Sequence, residues 1–94
     1  MIEIPLQGNA AHQKFSMQLG ERFFDFELNY ITRFGGWVLD IYEDELLLIA
    51  GAKLEPNVDL TERFDLDIGR LLFVGSEPTF ENLGINNSLV WVDG

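Results

Sequence analysis

Residues 36–42 have the sequence Gly-Trp-Val-Leu-Asp-Ile-Tyr, and three acidic residues separate them from the apolar run Leu-Leu-Leu-Ile-Ala-Gly at 46–51. Trp37, Leu39 and Ile41 fall on one face of the first segment, a period of two that is typical of a half-buried strand. Periodicity alone does not distinguish a strand from a buried helix in the second run, but its length and its position after a tight turn favour a strand. Since the gap is too short for a crossover helix, the two segments predict an antiparallel hairpin.

The same pattern continues through the rest of the chain. The longest alternating segment runs from Arg22 to Thr32 and turns Phe24, Phe26, Leu28 and Tyr30 toward a core. Shorter strand candidates lie at 2–4, 15–19, 71–74 and 89–92, with single helical turns expected at 59–64 and 79–83. We therefore predict an all-β fold, a small antiparallel sandwich or barrel of about six or seven strands with one or two short helical turns.

The length of 94 residues predicts one domain over residues 1–94. Eight Phe, two Trp and two Tyr are enough to fill a core without a metal or a disulfide. Trp37 and Trp91 lie on alternating strands and are expected in that core rather than stacked on a sugar or a base. The absence of cysteine excludes disulfide and thiolate chemistry.

The charge is strongly acidic, with 16 Asp and Glu against 6 Lys and Arg and a net charge of −10. Direct nucleic-acid binding is disfavoured because no basic patch is present to release phosphate counterions. An acidic surface favours solubility, and it also complements a basic partner. We expect no membrane insertion, because no apolar stretch approaches the ~20 residues of a membrane span. The N-terminus does not resemble a signal peptide, so we expect synthesis and use without export.

Groups with catalytic potential are isolated along the sequence. His12 is the only histidine and is expected at the surface, since no serine carries a nucleophile-elbow pattern for it to activate. Glu43-Asp44-Glu45 lacks the spacing of a calcium loop and is expected at a solvated hairpin tip. A hydrolase or metal-dependent enzyme would require a deep pocket containing His12 or the pair Asp65 and Asp67. We predict that the chain is not an enzyme and that it has no cofactor and no metal.

Four apolar residues are the candidates for contact with other proteins. Phe23 and Ile31 lie on the outward, polar face of the long strand, where an apolar side chain can mark an interface. Ile2 and Ile4 belong to an N-terminal arm that could add to the sheet of a neighbour. We expect all four side chains to be exposed and to dock on other proteins.

Motifs in a fixed order extend over nearly the whole chain. They are Ile2-Glu3-Ile4-Pro5-Leu6, Gln13-Lys14-Phe15-Ser16-Met17-Gln18-Leu19-Gly20, Leu28-Asn29-Tyr30, Gly36-Trp37-Val38-Leu39-Asp40-Ile41-Tyr42, Leu48-Ile49-Ala50-Gly51-Ala52-Lys53-Leu54, Val58-Asp59-Leu60, Gly69-Arg70-Leu71-Leu72-Phe73-Val74, Leu83-Gly84 and Leu89-Val90-Trp91-Val92. This series resembles the small baseplate plug proteins of contractile-tailed phages. The strongest single piece is Trp37-x-Leu39-Asp40-Ile41-Tyr42. The chain departs from that family in its strong acidity and in ending directly after its last strand.

The resemblance implies a non-enzymatic virion component, made in the host cytoplasm and placed in the tail baseplate. Such a protein lies on or near the tail axis, closes the tube lumen before ejection and helps to nucleate baseplate assembly. Its partners would be the central hub or spike and the tail-tube subunits, and a position on the axis favours a homo-oligomer, of which a trimer is expected. The family supplies no catalytic motif, so no site residue is transferred from it.

A second class of function is compatible with the same fold and charge. An acidic inhibitory protein that mimics nucleic acid could occupy a basic site on a host protein. It would be found free in the cell rather than in phage particles.

Overall fold

The computed structural model describes residues 2–62 and 69–92, and within these ranges it contains β-strands and no helix. The eight strands are β1 (Ile2–Ile4), β2 (His12–Leu19), β3 (Arg22–Ile31), β4 (Gly36–Glu43), β5 (Leu46–Lys53), β6 (Val58–Asp59), β7 (Arg70–Gly75) and β8 (Asn87–Val92). No helix long and apolar enough to cross a membrane is present in the described part of the chain.

The strands form two four-stranded antiparallel sheets that share one core. Strands β2, β3, β4 and β5 are neighbours in sequence order and form the meander sheet. The other sheet has the order β1-β8-β7-β6 and is called the terminal sheet, because β1 and β8 come from the two ends of the described chain. The predicted all-β sandwich is confirmed; the arrangement is open rather than a closed barrel, since β1, β6, β2 and β5 are edge strands.

The predicted hairpin at 36–51 is confirmed as β4 and β5. Its two-residue turn consists of Asp44 (φ 50°) and Glu45 (φ 68°), and positive φ at both positions is typical of a type I′ turn. Further along the pair, Gly51 has φ 67° and donates its backbone N–H to Asp40 Oδ1 at 2.6 Å. The register shifts on either side of Ile41, as expected for bulges that increase the local twist.

Inward side chains of both sheets meet in one apolar core, because alternate residues of each strand point to the same side. Trp37 is fully buried, and its indole Nε1 donates to the backbone oxygen of Thr79 at 2.9 Å. Its ring also stacks on Phe80 with centroids 6.3 Å apart, which attaches the loop before β8 to the meander sheet. Both Trp residues belong to the core, as expected. The core residues are Ile4, Leu19, Phe24, Phe26, Leu28, Trp37, Leu39, Ile41, Ile49, Ala52, Leu54, Leu60, Leu71, Phe73, Leu83, Leu89 and Trp91.

The structure corrects the details of the predicted elements. The structure has eight strands, one more than the six or seven predicted. The additional strand is β6, whose two residues are too few to give a periodic signal. The helical turn expected at 79–83 is wrong: Thr79 N donates to Asn82 Oδ1 at 2.7 Å, and Asn82 N donates to Thr79 Oγ1 at 3.1 Å. These reciprocal bonds have the pattern of a capping box, but the backbone that follows forms turns, with Ile85 N donating to Asn82 O at 2.8 Å, and does not continue as a helix. The turn expected at 59–64 lies partly outside the described residues, and its described part is non-helical.

Candidate docking surfaces

The outer face of the meander sheet is polar and forms hydrogen bonds within itself. His12, which begins β2 instead of lying in a loop, places Nε2 2.7 Å from Glu27 Oε2 on β3. Further along the same two strands, Ser16 lies opposite Asp25, and Ser16 Oγ donates to Asp25 Oδ1 at 2.5 Å. This face therefore satisfies much of its polarity by cross-strand pairs without any partner.

Tyr42 adds a titratable group to the same face. Partial desolvation raises its pKa, and the nearby carboxylates of Glu27 and Asp40 and a hydrogen bond with Glu27 act in the same direction. The phenol therefore stays protonated near neutral pH and donates to Glu27. Asp25 accepts from Ser16, Asp40 accepts from the backbone N–H of Gly51, and the concavity on this face is lined in part by Ser16, Asp25, Glu27 and Tyr42.

Phe23 and Ile31 both lie on this outer face, but the structure does not bring them together. Phe23 is 65% exposed beside the β2–β3 turn, whereas Ile31 is half-buried at the other end of β3. Ile31 lies eight positions further along the strand than Phe23, or about 27 Å at the usual rise per residue. One compact patch cannot contain both side chains, so each is a separate candidate.

The N-terminal arm pairs with strand β8 of its own chain. Ile2 is opposite Trp91 and Ile4 is opposite Leu89 in the antiparallel pair of β1 and β8. The expected exposure of Ile4 is wrong, because its side chain is 1% exposed and lies in the core. Its alternation with Glu3 points it inward, so it is not available for docking. Ile2 is half-buried, and β1 is an edge strand of the terminal sheet.

The sequence interpretation missed the outer face of the terminal sheet. Leu72 and Val74 on β7 and Val90 and Val92 on β8 point away from the core. Their register pairs Leu72 with Val90, which places the aliphatic side chains in one area. The signal was present in the two unbroken apolar runs, because an apolar strand without alternation is typical of burial on both faces.

The structure tests the metal site and the His12 pocket that an enzyme would require. No three His, Asp or Glu side chains of residues 2–62 and 69–92 come together in a way that could hold a metal ion. The concavity beside His12 is lined by residues 5–7, 10 and 12–15, which include no serine and no carboxylate. Asp65 and Asp67 lie outside the described residues, so the structure does not test that pair.

The fold and its surfaces define a class of protein: a small, acidic, two-sheet β-domain whose accessible features suit contact with other proteins. The family model described as "Cyanophage baseplate Pam3 plug gp18" matches residues 1–94, the whole chain. The chain belongs to this family of phage baseplate plug proteins and is a component of the virion tail baseplate. The family resemblance stated from the sequence is thereby confirmed. No curated protein sequence matches the chain significantly.

Proposed function

We propose that this chain closes the lumen of the tail tube and hub of a contractile phage tail before ejection and aids baseplate assembly. The observation that carries the proposal is the match of the whole chain to a baseplate plug family. The chain acts as a structural component, without catalysis, cofactor or nucleic-acid contact. A position on the tail axis favours a closed cyclic oligomer, and we propose a trimer.

The docking contacts we propose use the exposed Phe23, the end of β3 at Ile31 and the free edge of β1 next to Ile2. Ile4 is withdrawn from this set, because it is buried. The net charge of −10 would orient the domain against basic patches of the hub and tube subunits and make the contact sensitive to salt. Since a plug must leave when ejection is triggered, these contacts are expected to be limited in area.

Mass spectrometry of purified phage particles tests the proposed function. The copy number of this chain is calibrated against a major tail protein of the same particles. We expect a few copies per particle, in a multiple of three. Absence from particles, with the chain bound to a host factor instead, would overturn the plug and favour the acidic inhibitor.

The variant Phe23→Ser tests the docking contact at the β2–β3 end. We expect the free protein to keep its melting temperature, because this side chain is mostly solvated, and we expect fewer copies in particles. Ile85→Ser is the control, since Ile85 is a 73% exposed apolar residue in the loop before β8, outside the proposed contacts. Equal incorporation of the two variants, or unfolding of Phe23→Ser, would remove Phe23 from the interface. Ile31→Ser tests the second contact separately in the same assay.

A further inference from the structure

The apolar runs at 71–74 and 89–92 place large side chains on both faces of the terminal sheet. Leu71, Phe73, Leu89 and Trp91 fill the core. Between them, Leu72, Val74, Val90 and Val92 form the aliphatic face, which has no second layer of the chain's described strands over it. The meander sheet differs, because its outer face carries hydrogen-bonded polar side chains. Val74 is 38% exposed and Leu72, Val90 and Val92 are half-buried, so a partner that covered this face would remove further apolar surface from water.

Acidic residues frame this aliphatic face at both edges. The register aligns Glu3, Val90, Leu72 and Asp59 in one row across β1, β8, β7 and β6. Glu3 is exposed, and Asp59 is half-buried and accepts both of its hydrogen bonds from Thr61 through Oδ1. The row thus has an aliphatic centre and a carboxylate at each end.

The two carboxylates decide between a second copy of this chain and a different partner. If two copies aligned their aliphatic faces about a two-fold axis, the ends of the row would coincide and acid would meet acid. Like charges brought together at an interface are unfavourable, and the net charge of −10 adds to that repulsion. Among the described strands of this sheet, Arg70, opposite Val92, is the basic residue on this face, and it lies outside the row. A surface with aliphatic side chains framed by Lys or Arg is the complementary partner.

We propose that the aliphatic face is a docking surface for a different baseplate protein, which presents an apolar centre flanked by basic residues. The inference rests on the proposed function, because it requires the chain to be assembled into the baseplate. The face lies on the opposite side of the sandwich from Phe23. One chain can therefore hold two neighbours at once, as a component that both closes a channel and links its walls needs to do.

Photo-crosslinking in assembled particles tests this surface. A benzophenone amino acid replaces Val74, which is 38% exposed at the end of the face. We expect a crosslink to another baseplate protein, in a segment that contains Lys or Arg next to apolar residues. A crosslink to a second copy of this chain, or particles that contain the chain without any crosslink, would overturn the docking surface alone. Absence of the unsubstituted chain from particles would overturn the proposed function, and the docking surface with it.

The variant Val90→Thr provides a second, independent measurement. It keeps the β-branched shape and replaces one methyl group by a hydroxyl, so the free protein is expected to fold. Val38→Thr is the matched control, because Val38 is a half-buried valine on the outer face of the meander sheet. In competition with the wild-type chain, we expect Val90→Thr to lose about tenfold in incorporation, and Val38→Thr to lose little. Equal incorporation of the folded variants would overturn the docking surface.

The contribution of the carboxylate of Glu3, at one end of the row, is tested separately. Glu3→Lys reverses the charge at one end of the row without changing the aliphatic centre. We expect it to reduce incorporation, and Glu81→Lys, an exposed change of the same charge elsewhere, to leave incorporation near the wild-type level. Normal incorporation of Glu3→Lys would refute a partner with a basic frame.

Discussion

The guanidinium of Arg22 on β3 holds the carboxylate of Glu43 on β4 through two hydrogen bonds. Nε donates to Oε2 at 2.8 Å and Nη2 donates to Oε1 at 2.6 Å. The same guanidinium lies 5.2 Å from the centre of the Phe24 ring, a core side chain. This pair closes the end of the sandwich at the β2–β3 and β4–β5 turns, the end that also carries Phe23. Paired geometry of this kind is more specific than a single contact between exposed charges.

The Arg22–Glu43 pair predicts a loss of stability in acid. The hydrogen bond from Arg22 lowers the pKa of Glu43 below its ordinary value of 4.5, which outweighs the opposite effect of desolvation. Because the folded pKa is depressed, the stabilisation is complete above the unfolded value and is lost as the pH falls through the folded value. We expect Glu43→Gln to lower the melting temperature at pH 7 and to reduce the difference between pH 7 and pH 3. Glu21→Gln, an exposed turn residue, is the control. An unchanged melting temperature at pH 7 would show that the pair contributes nothing.

Trp37→Phe tests the attachment of the loop before β8. The change removes the donor that satisfies the Thr79 carbonyl and leaves a void in a fully buried site. We expect a loss of about 2–4 kcal/mol in the free energy of unfolding, measured by urea denaturation. Phe34→Leu, at an exposed aromatic position, is expected to cost less than about 1 kcal/mol. Equal losses for the two variants would contradict the role assigned to Trp37.

Asn87→Asp tests a buried polar junction at the start of β8. The Asn87 amide accepts from Gly84 N at 2.7 Å and donates to Ser76 O and Asn82 Oδ1, both at 3.2 Å. Because an ionised aspartate cannot donate these hydrogen bonds, we expect the free energy of unfolding to fall by about 2–4 kcal/mol at pH 7. Part of it should return as the new carboxyl is protonated in acid. Asn86→Asp is the control at an exposed neighbour, and a similar loss there would indicate a general charge effect.

Glu45→Gly tests the turn of the central hairpin. Glu45 has φ 68°, a region that costs an L-residue with a Cβ about 1 kcal/mol and that glycine adopts freely. We expect a gain in melting temperature of about 4 °C, reduced to the extent that glycine also loosens the unfolded chain. Glu21→Gly is the control, because Glu21 follows the positive-φ Gly20 and has no positive φ of its own; it should lower the melting temperature. A lower melting temperature for Glu45→Gly would contradict the type I′ turn.

Local patterns were sufficient to predict the strands but not all of the turns. The alternation in β3 and β4 and the short gap before β5 identified the meander sheet, because the side-chain period and a tight turn are properties of neighbouring residues. The segment 79–83 was predicted as a helical turn because it ends at a glycine. The reciprocal hydrogen bonds between Thr79 and Asn82 cap the start of this segment, but the chain continues as turns rather than as a helix.

The candidate docking residues show where local reasoning ends. Phe23 was correctly placed on an exposed face, because alternation decides which side of a strand a residue occupies. Ile4 was misplaced, since its burial depends on the pairing of β1 with β8 at the other end of the chain. Whether any of these residues contacts another protein stays a prediction.

By itself, the sequence determined the all-β class, the central hairpin, the acidic charge and the family, because each depends on residue type and local order. Only the tertiary structure decided which strands are neighbours in the terminal sheet, that Ile4 is in the core, and that Phe23 and Ile31 are far apart. It also decided that no second layer of the described strands lies over the aliphatic face of β7 and β8. Strand partners far apart in sequence are selected by the burial of the whole core, which no local pattern encodes.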